Sequence, residues 1–344
     1  LERARGGARD FDLHAGRLVI FSDHHRGARN GADDFEAAEE TYRAALDWYF
    51  ERGYTLVVLG DAEELWQERP ADVVEAYGDC LELEARFHQT GRYLRVWGNH
   101  DDDWQDEKAV TEHLRPRYGE PPLETHESLL FTVKDGKREL GGLFLVHGHQ
   151  GSLKSDRLSG VARLAVRHLY RPFQRLTGLS LDTPSKNRHL RHQQNETLHA
   201  WAAVQGGLLL IAGHTHRPVF ESRSGSGHLS EQLKAAKAKL EEASADTRPR
   251  QRPHQRLHQR LHQKVAELEE ELEDVREEEE REGSGREVKP CYFNTGCCCF
   301  PGGDITGVEL AGGEIRLVHW PDEEGRPRPM VLEKDALGAV FDRC

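Results

Sequence analysis

Arg17-Leu18-Val19-Ile20-Phe21-Ser22-Asp23-His24-His25 (residues 17–25) joins a short apolar run to a cluster of side chains that bind metals. The apolar run reads as a buried strand, and the polar block falls just beyond its carboxyl end. The same junction recurs four times. Tyr54 to Leu59 leads into Gly60-Asp61, and Tyr93 to Trp97 into Gly98-Asn99-His100-Asp101. Leu143 to Val146 leads into His147-Gly148-His149, and Leu208 to Ala212 into Gly213-His214-Thr215-His216. Helical stretches expected from about Asp34 to Glu51 and from Asp72 to His88 separate the first three strands. Strands alternating with helices predict an α/β layered fold, in which ligands collect beyond the carboxyl ends of strands.

One such block reads as a turn or a helix cap. Five in sequence order, all rich in Asp, Asn and His, point to one site. Asp23 and His25 are two apart, so on extended chain they project to one side, and His214 and His216 repeat that spacing. Glycines at 60, 98, 148 and 213 allow tight turns beside them. Two divalent ions roughly 3.5–4 Å apart can activate water and clamp a phosphoryl group. Such a pair needs a bridging carboxylate, and mixed imidazole and carboxylate ligands suit Zn, Fe or Mn.

The blocks D-x-H, G-D, G-N-H-D, H-G-H and G-H-T-H resemble the calcineurin-like metallophosphoesterase family. The resemblance covers residues 17–220 and resumes over Tyr292 to Trp320. It implies a four-layer α/β sandwich of two mixed β-sheets flanked by helices. It also implies that Asp23, His25 and His216 hold one ion, that Asn99, His147 and His214 hold the other, and that Asp61 bridges them. A hydroxide between the ions would attack phosphorus in line. His100 would serve the leaving group, and Asp101 would orient His100 by a hydrogen bond. Arg26 is a candidate contact for a substrate phosphate, a surface salt bridge being the alternative. His24 and His149 read as supporting residues. The cofactors implied are two divalent ions, Mn²⁺ first, with Fe²⁺ or Zn²⁺ as alternatives.

Two segments interrupt this frame. Residues 151–195 carry nine Lys or Arg against two acids, a net +7 inside a chain of formal charge −13. Arg163, Arg167, Arg171 and Arg175 recur every four residues, which would line one face of a helix until Pro172 bends it. We read 151–206 as a basic helical cap insertion, with Arg163 and Arg167 as substrate-phosphate contacts. "SDHHRG", "GDAEELW" and "GNHD" followed by such a segment resemble the branch containing UDP-2,3-diacylglucosamine pyrophosphatases. The implied substrate is a nucleotide-linked or lipid-linked diphosphate; the basic segment itself offers a further reading, peripheral docking on anionic lipid. The fourth block here reads H-G-H where that branch has H-G-D. The second interruption, 222–288, has Gly-Ser ends and apolar repeats at Leu229, Leu233, Ala236 and Leu240 and at Leu257, Leu261, Val265, Leu268, Leu272 and Val275. It reads as a helical hairpin with a coiled-coil-like seam, a surface for self-association or a protein partner. Residues 321–344 read as a C-terminal extension.

Bulk properties narrow the alternatives. An acidic chain argues against general nucleic-acid binding, which weighs against a nuclease of the same superfamily. A protein phosphatase of that superfamily is another reading, and an inactive scaffold a third, though a scaffold should lack ligands. The six cysteines have no disulfide-framework spacing, which predicts a reducing, cytoplasmic compartment. Cys297-Cys298-Cys299 reads as buried thiols, because successive extended residues point to opposite faces.

Overall fold

The computed structural model describes residues 7–31, 33–149, 188–222, 289–322 and 328–344, together with part of 230–276. The expected basic cap, with Arg163 and Arg167, lies outside the described residues up to position 187.

Thirteen strands are present among the described residues: β1 (Arg9–Asp12), β2 (Arg17–Phe21), β3 (Thr55–Leu59), β4 (Tyr93–Val96), β5 (Thr125–His126), β6 (Ser128–Asp135), β7 (Arg138–Val146), β8 (Leu208–Ala212), β9 (Pro218–Val219), β10 (Tyr292–Thr295), β11 (Ile305–Ala311), β12 (Glu314–Trp320) and β13 (Met330–Ala336). They form a seven-stranded sheet in the order β13-β12-β11-β2-β3-β4-β5 and a six-stranded sheet in the order β1-β6-β7-β8-β10-β9. Both are mixed. β2, β3 and β4 run parallel while β11 pairs antiparallel with β2. β7, β8 and β10 run parallel, β6 is antiparallel to β7 but parallel to β1, and β9 is antiparallel to β10.

The apolar runs are continuous because both faces of the central strands are covered. Leu18 and Ile20 of β2, with Val57 and Leu59 of β3, join a core shared with the six-stranded sheet. Val19 and Phe21, with Leu56 and Val58, point the other way into a second core. Tyr42, Ala45 and Tyr49 of helix α1 (Glu39–Glu51) close that second core, as do Cys80, Leu81 and Phe87 of α3 (Gly78–Gln89). The single helix expected over 72–88 is two, α2 (Pro70–Ala76) and α3, because Tyr77 between them leaves helical geometry and gives its hydroxyl to Asp33 at 2.7 Å. α4 (Arg188–Ala203) packs on β8 and β10 of the six-stranded sheet, and α5 (Leu337–Asp342) packs on β7 of that sheet and on β12 and β13 of the other. The sequence therefore folds as an α/β sandwich of two mixed sheets flanked by helices. Residues 330–342, expected as an extension, supply an edge strand and a packed helix.

The chain divides into two compact units, Leu1–Ser222 with Lys289–Cys344, and Arg223–Val288. In the second, the described residues of 230–244 and 261–276 are helical. Ala236, Val265, Leu268 and Leu272 bury one another there, beside Leu233 and Leu240. In the first unit the ends of this excursion meet: Ser222 Oγ donates to Lys289 O at 2.7 Å, and Ser222 N to Tyr292 O at 2.7 Å. Deleting 225–285 would leave a loop of five residues (223, 224, 286, 287, 288), within the ordinary length for such connections. The deletion protein is expected to keep a cooperative thermal transition and an unchanged metal stoichiometry. An unfolded product would show that the second unit supports the first.

Candidate metal centre

Five loops converge at the carboxyl ends of β2, β3, β4, β7 and β8. Backbone bonds lock them together beyond the strands: Asp23 N to Gly60 O (3.1 Å), His25 N to Asp61 O (3.0 Å), Leu65 N to His100 O (3.0 Å) and Gly213 N to His147 O (2.9 Å). Eight described non-glycine residues have positive φ. Five of them are Asp23 (54°), His25 (51°), Asp61 (50°), His214 (71°) and His216 (57°). Each such position costs on the order of 1–3 kcal/mol and persists where surrounding structure enforces it. Strain is concentrated on residues that can hold metal. A side chain at Gly213 would collide with Ser22 and Asp23, and one at Gly98 with Asp61 and His147.

Two donor clusters result. In the first, His216 Nε2 lies 3.3 Å from Asp23 Oδ1 and 3.1 Å from His25 Nε2. In the second, Asp61, His147 and His214 converge, with His147 Nε2 3.0 Å from Asp61 Oδ2. The same Asp61 oxygen is 3.9 Å from His25 Nε2, so it stands between the clusters. Both ring nitrogens of His214 and Oδ1 of Asn99 are buried without a hydrogen-bond partner among the described residues. Such atoms cost about 1–3 kcal/mol each unless satisfied. Divalent cations fit this set: they satisfy the orphaned atoms and neutralise Asp23 and Asp61, both buried.

The electrostatics agree. Burial pushes His214 down to about 3, helped by His147, so its imidazole is neutral as a ligand must be. Burial would raise Asp23, yet His216 and His147 hold it at about 2. Burial would lower His147, but Asp61 and Asp23 raise it to about 9. A cation in this cluster would take the place of that proton. His147 Nδ1 donates to Leu59 O at 2.9 Å, which leaves Nε2 for the cluster.

The structure brings together Asp23, His25, Asp61, His147, His214 and His216, and places His100 beside them. It changes two expectations. Asp101 is not the partner of the His100 ring: its oxygens accept from the backbone N–H of Asp61 (3.2 Å), Ala62 (2.9 Å) and Gly98 (2.6 Å). Asp101 thus ties the Asp61 loop to the Asn99 loop. The ring partner is Glu64, whose Oε2 lies 2.7 Å from His100 Nδ1 and 3.2 Å from His25 Nδ1. Arg26 is not a substrate contact either. It is fully buried and ion-paired with Glu84 and Glu63. Trp66, also unforeseen, stacks on His100 with centroids 4.4 Å apart and planes 16° apart. The signal for both lay in "GDAEELW", three and five residues beyond Asp61.

His24 is buried against Phe35 and Tyr42, and burial keeps it neutral. His149 packs near Trp97 and His147, and burial lowers it to about 3. Cys297, Cys298 and Cys299 are buried free thiols just after β10.

The fold and the convergence of these residues define an α/β sandwich with candidate metal-binding groups gathered at its strand ends. Residues 16–218, more than half of the chain, match the model of the calcineurin-like phosphoesterase family, and the chain belongs to that family. It is a generally hydrolytic family that includes inactive members. No curated protein matches the sequence. Among solved structures, vacuolar protein sorting 29 from Cryptosporidium parvum aligns over 94% of this chain and 99% of its own. Identity is 11% and the TM-score 0.36, too slight a likeness to carry an argument.

Proposed function

We propose that this chain is a dinuclear metal-dependent phosphohydrolase. The observation that carries the reading is the pair of donor clusters sharing one oxygen of Asp61. Asp23, His25 and His216 would hold one ion, Asn99, His147 and His214 the other, with Asp61 common to both. Bound ions would supply Lewis acidity toward phosphoryl oxygens and lower the pKa of water between them.

The protein's own groups then position and move protons. His100 projects beside Asp61, clamped between Glu64 and the face of Trp66. Burial opposes its protonation, yet Glu64 and Asp61 raise it to about 9. In this reading it carries the proton that a leaving alkoxide needs. His100→Ala is expected to lower kcat by about 10²–10⁴ on substrates with poor leaving groups, and far less on p-nitrophenyl esters. Glu64→Gln should follow the same leaving-group pattern with a smaller loss, about 10–100-fold. Equal losses on good and poor leaving groups would remove His100 from the proton path.

For substrate we favour a nucleotide-linked or lipid-linked diphosphate. What supports this is the basic segment and where its ends are fastened. The chain departs at His149. It is back at the site by Gln194, whose Nε2 donates to Gly148 O at 2.6 Å, and Asn195, whose Oδ1 accepts from Thr215 Oγ1 at 3.2 Å. A run of net +7 thus begins and ends at the rim of the metal loops. The resemblance to the UDP-2,3-diacylglucosamine pyrophosphatase branch points the same way. A lipid-linked substrate would bring the chain to a membrane surface by peripheral contact. Among the described residues no helix is long and apolar enough to cross a membrane. The test is hydrolysis by metal-stripped protein with Mn²⁺ restored, on bis-p-nitrophenyl phosphate, p-nitrophenyl phosphate and a nucleoside-diphosphate-linked lipid. Turnover requiring metal and greatest on the diphosphate is expected. No turnover together with no bound metal would leave an inactive scaffold.

A further inference from the structure

The histidines of the centre differ in what holds their second nitrogen. For His147 it is the carbonyl of Leu59, and for His25 the carboxylate of Glu64. These are the usual partners of metal-bound imidazoles. For His216 it is sulfur: Nδ1 lies 3.6 Å from Cys299 Sγ. Cys297 Sγ completes a group with these two in which all ligand atoms lie within 4.8 Å of one another.

The local chain explains the arrangement. Cys297 and Cys299 are two apart and turn to one side, toward His216. Cys298 turns the other way into the helix-side core. The loop is held on both flanks. Cys297 N donates to Thr306 Oγ1 at 3.2 Å, and Thr306 N to Cys297 O at 3.0 Å. Cys298 N donates to the carbonyls of Ser22 and Asp23 at 3.1 and 3.2 Å. The two sulfurs are therefore presented by a fixed backbone resting on the loop that carries Asp23.

We infer that Cys297 Sγ, Cys299 Sγ and His216 Nδ1 form a separate thiolate site for a soft divalent ion, Zn²⁺ by its chemistry, adjoining the hydrolytic centre and sharing His216 with it. A tetrahedral centre with Zn–S of about 2.3 Å and Zn–N of about 2.0–2.1 Å spaces an S and an N about 3.6 Å apart. The observed S···N distance has that value. Two thiolates and an imidazole are a donor set that selects zinc over manganese, whereas the mixed imidazole and carboxylate cluster beside it suits Fe or Mn as well as Zn. Binding releases the protons of both thiols. Filling both sides of the ring also removes its N–H proton, leaving an imidazolate between the two ions. The inference goes beyond the hydrolase reading, because it holds or fails on metal spectroscopy whether or not a phosphoester is cut.

The test is titration of metal-stripped full-length protein with Co²⁺, followed in the near ultraviolet. A sulfur-to-cobalt charge-transfer band is expected, lost in Cys297→Ser/Cys299→Ser along with one bound equivalent, and retained in Cys291→Ser. No band in the wild-type protein, or a band unchanged in the double variant, would overturn the inference. Should the double variant fail to fold, zinc-edge X-ray absorption on the wild-type zinc protein decides. A sulfur shell at about 2.3 Å supports the site, and a purely nitrogen and oxygen shell removes it.

Discussion

Asp61→Asn is expected to lower kcat/KM by about a thousandfold or more and to lower bound metal by at least one equivalent relative to wild type, with the fold intact. One carboxylate oxygen serves both donor clusters, 3.0 Å from His147 Nε2 and 3.9 Å from His25 Nε2. An amide has nearly the same shape but carries no charge to hold two cations. Losing several kcal/mol of charge stabilisation corresponds to about three powers of ten in rate at roughly 1.4 kcal/mol per tenfold. The substitution leaves an oxygen able to accept from His100 N, as Asp61 Oδ1 does at 2.8 Å, so the loop should keep its course. Asp61 is buried beside His147 and His100, which hold its carboxyl well below the ordinary range against the cost of burial, so its charge stabilises the metal-free fold. The metal-free variant should therefore melt somewhat below the metal-free wild type while still unfolding cooperatively. Metal content by elemental analysis, hydrolysis of bis-p-nitrophenyl phosphate and a melting curve check the three parts together. Metal-dependent turnover within tenfold of wild type would take Asp61 out of the bridging role.

The strand ends were legible because two signals coincide there. A strand covered on both faces needs a continuous apolar run, and the residues that follow are of ligand type. The edge strands lack the first signal. β1 reads Arg-Asp-Phe-Asp with only Phe11 buried, and β13 has no buried residue. Neither can be told from loop by periodicity. What surrounds the ligands was less legible, since sequence gives chemical type but not facing. Glu64 looked like one acid in an acidic stretch, and only the fold turns it between His25 and His100. Asp101 follows His100 directly, yet its side chain turns to backbone amides.

Arg26 is the clearest case. It stands one residue after a candidate ligand, and arginine is almost never fully buried unless paired, so exposure toward substrate was the natural reading. Its main partner, Glu84, is 58 residues away on α3, beyond reach of any local pattern. Glu84 also accepts from the hydroxyls of Tyr42 (3.0 Å), Tyr93 (2.7 Å) and Tyr118 (2.6 Å). Glu63 bridges Arg26 to Arg95 and accepts from Trp104 Nε1 at 2.8 Å. Arg95 Nη2 lies 3.8 Å from Asp101 Oδ2. A buried polar layer therefore underlies the loops that carry Asp23, Asp61 and Asn99.

That layer sets the largest stability effect expected in the molecule. Arg26→Met alone should destabilise by about 3–5 kcal/mol, because it leaves Glu84 and Glu63 charged, buried and short of a partner. Glu84→Gln alone strands Arg26 in the same way and should cost a comparable amount. Together they should cost less than the sum, since each removes the charge that the other orphaned, and residues in one network are not additive. Acid dependence carries a matching signature. Burial would raise the Glu84 carboxyl, but Arg26, Arg95 and the tyrosine hydroxyls hold it below its ordinary value of 4.5. A carboxylate whose folded pKa is depressed stabilises fully above its unfolded pKa, and that contribution disappears as pH falls through the lower folded value. The wild type should therefore lose stability steeply below about pH 4.5, and Glu84→Gln should show a shallower acid limb. Urea unfolding of the four proteins of the cycle at pH 7, repeated for wild type and Glu84→Gln down the acid range, measures both. Additive losses within about 0.5 kcal/mol, or identical acid limbs, would mean that Arg26 and Glu84 act independently and that the layer does not hold the metal loops as a unit.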